Sequence, residues 1–411
     1  MDAEVIIVGA GAAGIAAARR LKDHGRRILL VEALGRIGGR AWTVTREGLP
    51  LDMGCGWLHS AERNPLVGVA KAQGAILDRT PAAWGNQLRN LGFSVAEQRA
   101  ARRGYSALQE QLASAPPASD CAGDAMARDH DWRGYADMLS GALNGAELDR
   151  VSARDFATYN EAATETDWRL PAGMGTMIAG SAANLPIRMD TQVGAIDTNG
   201  RTVAVETSRG MLRSSAVIVA VPTDVLARGA IRFGPGMTDH CHAAACLPLG
   251  RVDKLFLGMA DPDAVPLETH LIGNPHDPLT GSYYLRPFGR PVIECFFGGI
   301  AARAMEEAGD EGRVAFAREE LGKLLGAQAV RGLNALAGSW WHREPSIGGA
   351  YSHALPGHAD KRGLLATPPS DRLAFAGEAC SVQDYSTAHG AWQSGIDAAN
   401  WIEAALARNA A

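Results

Sequence analysis

The sequence has few cysteines, and their arrangement indicates neither a metal site nor a disulfide framework. Six cysteines are spread over 411 residues, and none belongs to a C-x-x-C pair. His240-Cys241-His242 with Cys246 is the densest group, but adjacent side chains diverge and no second group completes four ligands. We therefore predict free thiols, no bound metal and a cytoplasmic protein.

The sequence also has no long apolar run and no excess of basic charge. No stretch approaches the roughly 18–20 apolar residues of a membrane helix. A net charge of −5 and a pI of about 6.1 argue against a nucleic-acid partner. The first predicted strand begins at Glu4, so we expect no signal peptide, no transit peptide and no membrane partner.

Glycine, in contrast, is abundant, with 48 residues, and near the start it follows a defined pattern. Glu4 to Val8 is a short run rich in β-branched residues, which predicts a buried parallel strand. Gly9, Gly11 and Gly14 follow as G-x-G-x-x-G and lead into an alanine-rich helix. The first glycine permits a tight turn, the second lets the backbone approach a pyrophosphate, and the third lets helix and strand pack closely.

The residues after these glycines complete a dinucleotide-binding pattern. Ala12 and Ala13 begin the helix, whose N-terminus favours phosphate through its free N–H groups and its dipole. A second apolar run, Ile28 to Val31, ends at Glu32, which is placed to accept a hydrogen bond from a ribose hydroxyl, and Ala33 lies beside it. A glycine-rich turn alone could merely join a strand to a helix. Strand, helix, second strand and acid at this spacing predict a dinucleotide site.

A second glycine motif indicates which dinucleotide is bound. The segment G-R-I-G-G-R places Gly38 and Gly39 between Arg36 and Arg40. It offers another close backbone approach together with guanidinium groups for phosphate oxygens. A nicotinamide domain does not need this segment, whereas FAD does. Here the chain resembles the flavin-dependent amine oxidase family, which includes monoamine oxidases, polyamine oxidases and histone lysine demethylases.

The resemblance implies an α/β fold with two domains. A Rossmann-like FAD-binding domain of the GxGxxG type would comprise residues 1–76, 185–248 and 366–411. A substrate domain of mixed or antiparallel sheet plus helices would comprise a helical part, residues 77–184, and a sheet part, residues 249–365. Monoamine oxidases attach the flavin through a cysteine immediately before the tyrosine that matches Tyr351. Because Ala350 occupies that position here, we expect the FAD to be bound non-covalently.

Several further residues are assigned to the cofactor through the resemblance. The segment from Asp52 to His59 is similar to a family D-x-G-x-x-W-x-H segment that runs beside the flavin ring. Glu378 matches a family glutamate near the ribityl and pyrophosphate groups, where an acid must bond hydroxyls or pair with arginine. The cofactor-binding positions implied in this way are Gly54, Gly56, Trp57, Val193, Trp341, Gly377, Glu378, Thr387 and Ala388.

Lys254 lies in a predicted strand, 249–257, between apolar neighbours. Val252, Lys254 and Phe256 share one face of that strand. Taken alone, such a lysine is more often a gatekeeper on an edge strand than a buried functional amine. The resemblance reverses this preference, because the family has a lysine at this spacing that holds a water near flavin N5. Burial would disfavour its ammonium form.

Tyr351 and Thr387 are the other two candidate catalytic residues. Tyr351 follows Trp341 by ten residues, as in the family, where the tyrosine stands across the flavin from the substrate nitrogen. Thr387 occupies the position of a second aromatic residue in monoamine oxidases and would leave the amine cage open on that side. His389, two residues later, is interpreted as structural rather than as a general base.

The resemblance implies oxidation of a small-molecule amine. Hydride would pass from the carbon next to nitrogen to flavin N5, the imine would be hydrolysed, and oxygen would reoxidise the flavin with release of hydrogen peroxide. No arginine clamp for a carboxylate is apparent, which favours amines over α-amino acids. An L-amino-acid oxidase, a carotenoid- or porphyrinogen-type FAD desaturase and a non-catalytic flavoprotein remain alternatives. The sequence leaves open the particular amine, the oligomeric state and the physiological electron acceptor.

Overall fold

The computed structural model describes residues 1–234 and 236–409, which form two main sheets, three smaller ones and a set of helices. The strands are β1 (Val5–Val8), β2 (Ile28–Val31), β3 (Thr43–Arg46), β4 (Leu49–Asp52), β5 (Trp57–Leu58), β6 (Trp168–Arg169), β7 (Ile187–Arg188), β8 (Val193–Asp197), β9 (Val203–Thr207), β10 (Gly210–Ser214), β11 (Ala216–Val219), β12 (Arg232–Phe233), β13 (Val252–Gly258), β14 (Thr269–Ile272), β15 (Ser282–Leu285), β16 (Val292–Gly298), β17 (Asn334–Gly338) and β18 (Leu373–Phe375). The α-helices are α1 (Ala12–Asp23), α2 (Pro65–Ala72), α3 (Val95–Ser114), α4 (Arg133–Asn144), α5 (Ala153–Ala162), α6 (Met174–Gly180), α7 (Thr223–Ala227), α8 (Thr238–Ala245), α9 (Ile300–Leu325), α10 (Lys361–Ala366) and α11 (Ala388–Arg408).

The first main sheet is parallel and has the strand order β18-β11-β1-β2-β7. Strands β1, β2 and β11 are buried on both faces, which explains why their sequences are almost continuously apolar. The sheet draws its strands from three separate segments of the chain, the arrangement predicted for the FAD-binding domain. The α/β fold class is confirmed.

Helices α1 and α11 pack together against this sheet. Their contact is close because small residues line it: a Cβ added at Gly395 would lie 2.0 Å from the carbonyl oxygen of Ala13. Helix α11 is continuous from Ala388, which lines the cavity, to Arg408. The sequence suggests a short final helix at 396–408, which is the second half of this longer one.

The second main sheet is antiparallel, with the order β14-β15-β16-β13-β17. Leu255 and Leu257 of β13 pack into one core together with α9, whereas Val252 and Phe256 pack on the other side with Trp341. This alternation agrees with the predicted faces of the strand. Helix α9 covers the first of these cores.

The predicted helical part of the substrate domain is less regular than the sequence suggests. Residues 77–184 are predicted to be mostly helical, yet 77–94 contain no α-helix, and β6 pairs with β5 instead. Helix α9 is interrupted at Gly309, where φ is 74°. Within the described part of the chain, no helix is both long enough and apolar enough to cross a membrane.

Candidate active site

One cavity of about 630 Å³ extends from the carboxyl ends of the parallel strands to the antiparallel sheet and helices α3–α5. Its size falls within the range of cofactor and ligand sites in proteins. Ligands of open parallel sheets bind outside the carboxyl ends of the strands, which is where Gly9 and Glu32 lie. The cavity is therefore placed to receive both a dinucleotide and a second molecule.

The three glycines after β1 have the distinct roles that the pattern predicts. Gly9 has a φ of 100°, and an added Cβ would lie 2.5 Å from the carbonyl oxygen of Ala220. Gly14 does not line the cavity; its added Cβ would lie 1.8 Å from the carbonyl oxygen of Gly9, so it permits the helix to pack on the turn. At Gly11 the nearest atom is 3.9 Å from an added Cβ, so this position opens onto the cavity.

Glu32, at the end of β2, fits a ribose-binding role. Its side chain is buried, and its two oxygens accept hydrogen bonds from the backbone N–H groups of Ala10 (2.7 Å) and Leu34 (2.9 Å). Burial raises the pKa of this carboxyl, while those N–H groups and Arg36 oppose the rise. Each carboxylate oxygen has a second lone pair for a ribose hydroxyl. These features and the open space at Gly11 fit FAD.

Arg40 and Glu378 line the cavity as a buried ion pair. Arg40 Nη1 lies 3.0 Å from Glu378 Oε1 and also donates to the carbonyl oxygen of Ala350. Glu378 further accepts hydrogen bonds from the Ser352 hydroxyl and the Ser386 N–H. Although burial alone would raise it, Arg40 and Arg362 leave the pKa of Glu378 below its ordinary value. Glu378 therefore pairs with arginine, one of the two roles open to an acid at this position.

Arg36 lies outside the cavity, contrary to what its proposed phosphate contact requires. Its guanidinium stacks 4.4 Å above the Trp42 ring and donates to the carbonyl oxygen of Gly39 at 2.6 Å. It thus supports the glycine turn from behind. Apart from Gly14, the other predicted cofactor positions line the cavity: Gly9, Gly11, Ala12, Ala13, Glu32, Ala33, Gly38, Gly39, Arg40, Gly54, Gly56, Trp57, Val193, Trp341, Gly377, Glu378, Thr387 and Ala388.

Lys254 lies on β13, an interior strand of the antiparallel sheet, so the edge-strand explanation for this lysine is wrong. Its side chain is 7% exposed and lines the cavity. The Nζ atom lies 2.7 Å from Oε1 of Glu294 on the neighbouring strand β16. Glu294 is not among the site residues predicted from the sequence. The alternation in V-I-E-C-F-F places it on one face of a strand, but its register against β13 could not be predicted.

Tyr351 and Thr387 both reach the cavity, but their hydroxyl groups are already bonded. The Tyr351 hydroxyl donates to the carbonyl oxygen of Ala142 in α4, and burial raises the pKa of this tyrosine well above its ordinary value. Thr387 caps α11: its hydroxyl accepts from Gly390 N–H at 3.0 Å and donates to the carbonyl oxygen of Asp384 at 2.6 Å. The Thr387 hydroxyl therefore has no hydrogen left to donate to a ligand and can offer it one lone pair.

An aromatic chamber forms the part of the cavity next to Lys254. Trp57 packs against Trp84 at a centroid distance of 4.3 Å, and the His59 Nδ1 atom lies 2.8 Å from Asp167 Oδ1 nearby. Most of the chamber's aromatic residues come from the segment to which the sequence assigns no function, and they lie too far apart in the chain to form a motif. They are Trp84, Tyr105, Tyr135 and Tyr159, joined by Tyr284 and Phe296 from the sheet.

Behind the chamber, Asp253 fixes the segment that carries Trp341. Asp253 Oδ1 accepts hydrogen bonds from the Ser339 hydroxyl (3.1 Å) and the Trp341 N–H (3.2 Å). Burial, reinforced by the charge of Glu306, raises the pKa of Asp253 to about 7. A carboxylate oxygen of Asp253, one of Glu306 and a ring nitrogen of His342 lie within 4.8 Å of one another. Arg251 and Arg313 lie beside the two acids. A proton on Asp253 relieves the repulsion between the carboxyl groups.

The glycine turn, the acid after β2 and the cavity reaching a second sheet together define a dinucleotide-binding oxidoreductase with a separate substrate chamber. Comparison with known proteins identifies which kind. The family model of flavin containing amine oxidoreductases matches residues 12–81 and 78–402. The chain belongs to this family, and it is an FAD-dependent enzyme that oxidises amines.

Individual relatives span nearly the whole chain. Polyamine oxidase 3 of Oryza sativa subsp. japonica is 30% identical over 432 aligned residues, covering 96% of this chain and 88% of that protein. Polyamine oxidase 2 of Arabidopsis thaliana is 27% identical over 96% of this chain and 87% of that protein. The solved structure of putrescine oxidase bound to putrescine has a TM-score of 0.79 and 20% identity, covering 98% of this chain and 99% of that one. That structure has the same fold.

Proposed function

We propose that this enzyme oxidises aliphatic amines, rather than α-amino acids, at the carbon next to nitrogen. The observation that carries the proposal is the state of the two arginines that line the cavity. Arg40 is paired with Glu378, and Arg228 is paired with Asp224 at 3.1 Å and donates to the carbonyl oxygen of Pro345. Each guanidinium already has a carboxylate partner, so neither supplies an unpaired positive charge for a substrate carboxylate, whereas the aromatic chamber suits an alkyl chain carrying an ammonium group.

The residues of the chain hold, orient and shield the reacting groups. Glu32 would hold the ribose of FAD, and the N-terminus of α11 would favour negative charge on the flavin ring. The ring of Tyr351 would align the amine, and Lys254 would hold a water at the reacting end of the cofactor. When bound, FAD supplies the hydride acceptor, N5, and its reoxidation by oxygen releases hydrogen peroxide. The imine product is then hydrolysed.

Polyamines and diamines are the first substrates to test, because the named relatives are polyamine oxidases and the fold matches putrescine oxidase. The acidic side chain of Asp167 lines the same cavity and favours positively charged compounds. We place the enzyme in the cytoplasm, since all six cysteines are free.

The test compares each amine with the amino acid from which decarboxylation would produce it. Peroxide release and oxygen consumption are measured for both members of each pair under the same conditions. We expect kcat/KM to be at least about tenfold higher for the amine, because a buried, unpaired carboxylate is costly to accommodate. Preference for the L-amino acid would contradict the proposal and favour an amino-acid oxidase. Turnover without oxygen consumption would contradict the assignment of oxygen as acceptor.

A further inference from the structure

Lys254 and Glu294 are placed together by the register of two neighbouring strands. In the antiparallel pair β13 and β16, Lys254 stands opposite Phe296 and Phe256 stands opposite Glu294. The two charged residues are therefore diagonal neighbours on the same face, and both line the cavity. Their charged atoms are 2.7 Å apart, with side-chain exposures of 7% and 22%. This is a largely desolvated ion pair at the wall of the substrate chamber.

The other groups around Lys254 are committed elsewhere. Asp52, the last residue of β4, and Cys55 lie close enough to Lys254 to feel its charge. The Asp52 oxygens accept hydrogen bonds from the Thr43 hydroxyl and from the N–H groups of Met174 and Gly175. Among the described residues, Glu294 has no partner besides Lys254. Of the two acids near Lys254, Glu294 is therefore the one whose carboxylate contacts only the lysine, whereas the hydrogen bonds of Asp52 hold neighbouring segments of the chain together.

We propose that Glu294 is a positioning residue that holds the Lys254 ammonium at the chamber wall and influences the reaction only through that lysine. The sequence predicts a buried lysine whose ammonium form is disfavoured, whereas the structure places a carboxylate 2.7 Å from its Nζ atom. A fixed ammonium would present N–H donors to a water in one orientation. The proposal deepens the proposed function and rests on it.

The test is a double-mutant cycle with Glu294→Gln, Lys254→Met and the double variant. Loss of the carboxylate releases the ammonium from its place at the chamber wall. In Glu294→Gln we therefore expect flavin reoxidation to slow about tenfold. In the Lys254→Met background, Glu294→Gln should leave the rate unchanged.

A second readout uses the apoprotein and needs no turnover. The thermal unfolding midpoints of the four proteins should be non-additive, with Glu294→Gln costing less when Lys254 is already Met. If no amine reduces the wild-type flavin, the proposed function fails, while this coupling still tests the pair. Additive midpoints would overturn the proposal. So would a higher KM for diamines caused by Glu294→Gln in the Lys254→Met background, since Glu294 would then bind substrate directly.

Glu294→Asp provides the conservative variant. It retains the charge on a shorter side chain, so its reoxidation rate should lie between those of the wild type and Glu294→Gln. If Glu294→Gln does not fold, the same comparisons are made with Glu294→Asp, and the expected shifts are smaller but in the same direction. Equal effects of Asp and Gln would show that the charge is irrelevant and would contradict the proposal.

Discussion

Replacing Asp253 by Asn should make the protein less sensitive to alkaline pH. Asp253 is 2% exposed, and burial together with Glu306 raises its pKa from 3.8 to about 7. The folded protein therefore keeps a proton that the unfolded chain releases at lower pH. Because the folded state binds more protons, stability falls as the pH rises from about 4 to about 7. A difference of about three pKa units corresponds to about 4 kcal/mol, as an upper bound.

Asparagine reproduces the protonated side chain. Its carbonyl oxygen accepts the hydrogen bonds from Ser339 and the Trp341 N–H, and its amide donates towards Glu306. At about pH 4 the variant and the wild type should have similar stability, whereas at about pH 8 the variant should be more stable by about 2–4 kcal/mol. Burial and the charges of Arg251 and Arg343 lower the pKa of His342, but this residue is present in both proteins, so its own titration should largely cancel in the comparison.

Thermal unfolding of the FAD-bound protein across this pH range measures the effect. Ser339→Ala is the matched control: it removes one hydrogen bond to Asp253 without changing any charge. Because that hydrogen bond lowers the pKa of Asp253, Ser339→Ala should lose more stability at the higher pH, the opposite of the effect of Asp253→Asn. If Asp253→Asn is destabilised equally at low and high pH, Asp253 is ionised and held by its arginine neighbours, and the reasoning above is refuted.

Three further predictions concern the cofactor and the amine. Glu32→Ala should weaken FAD binding by about 1.5–3 kcal/mol through loss of a charge-assisted hydrogen bond. The Kd is measured by titrating the apoprotein with FAD, and an unchanged Kd would contradict this role of Glu32. Tyr351→Phe should retain most turnover, because the ring aligns the amine, whereas Tyr351→Ala should lose far more; equal rates for Ala and wild type would reject this role. Because Ala350 has no nucleophile, denaturation should release yellow FAD, and a chain mass increased by one flavin would contradict non-covalent binding.

The sequence predicts the FAD-binding part of the fold well because its signals are local. Gly9, Gly11 and Gly14 act within one strand–turn–helix unit, and Glu32 follows on the next strand, so spacing alone brings them together. The structure agrees with these placements. Arg36 is different, because its stacking on Trp42 depends on where a hairpin packs, and a motif does not contain that information.

The substrate chamber could not be predicted in the same way. Glu294 joins Lys254 through strand register, and Asp253 meets Glu306 through the packing of α9 against the sheet. Such contacts join residues tens of positions apart and leave no pattern along the chain. Tyr105 and Tyr159 likewise lie on separate helices that meet only in the folded protein.

An amine bound in the aromatic chamber should reduce FAD directly. The measurement is the absorbance of the purified protein, mixed without oxygen with a panel of polyamines, diamines, monoamines and amino acids. We expect the yellow protein to be bleached by at least one amine, to remain yellow with the corresponding amino acid, and to regain its colour when oxygen is admitted. A protein that stays yellow with every amine, or one that is isolated without flavin and takes up NAD instead, would contradict the account.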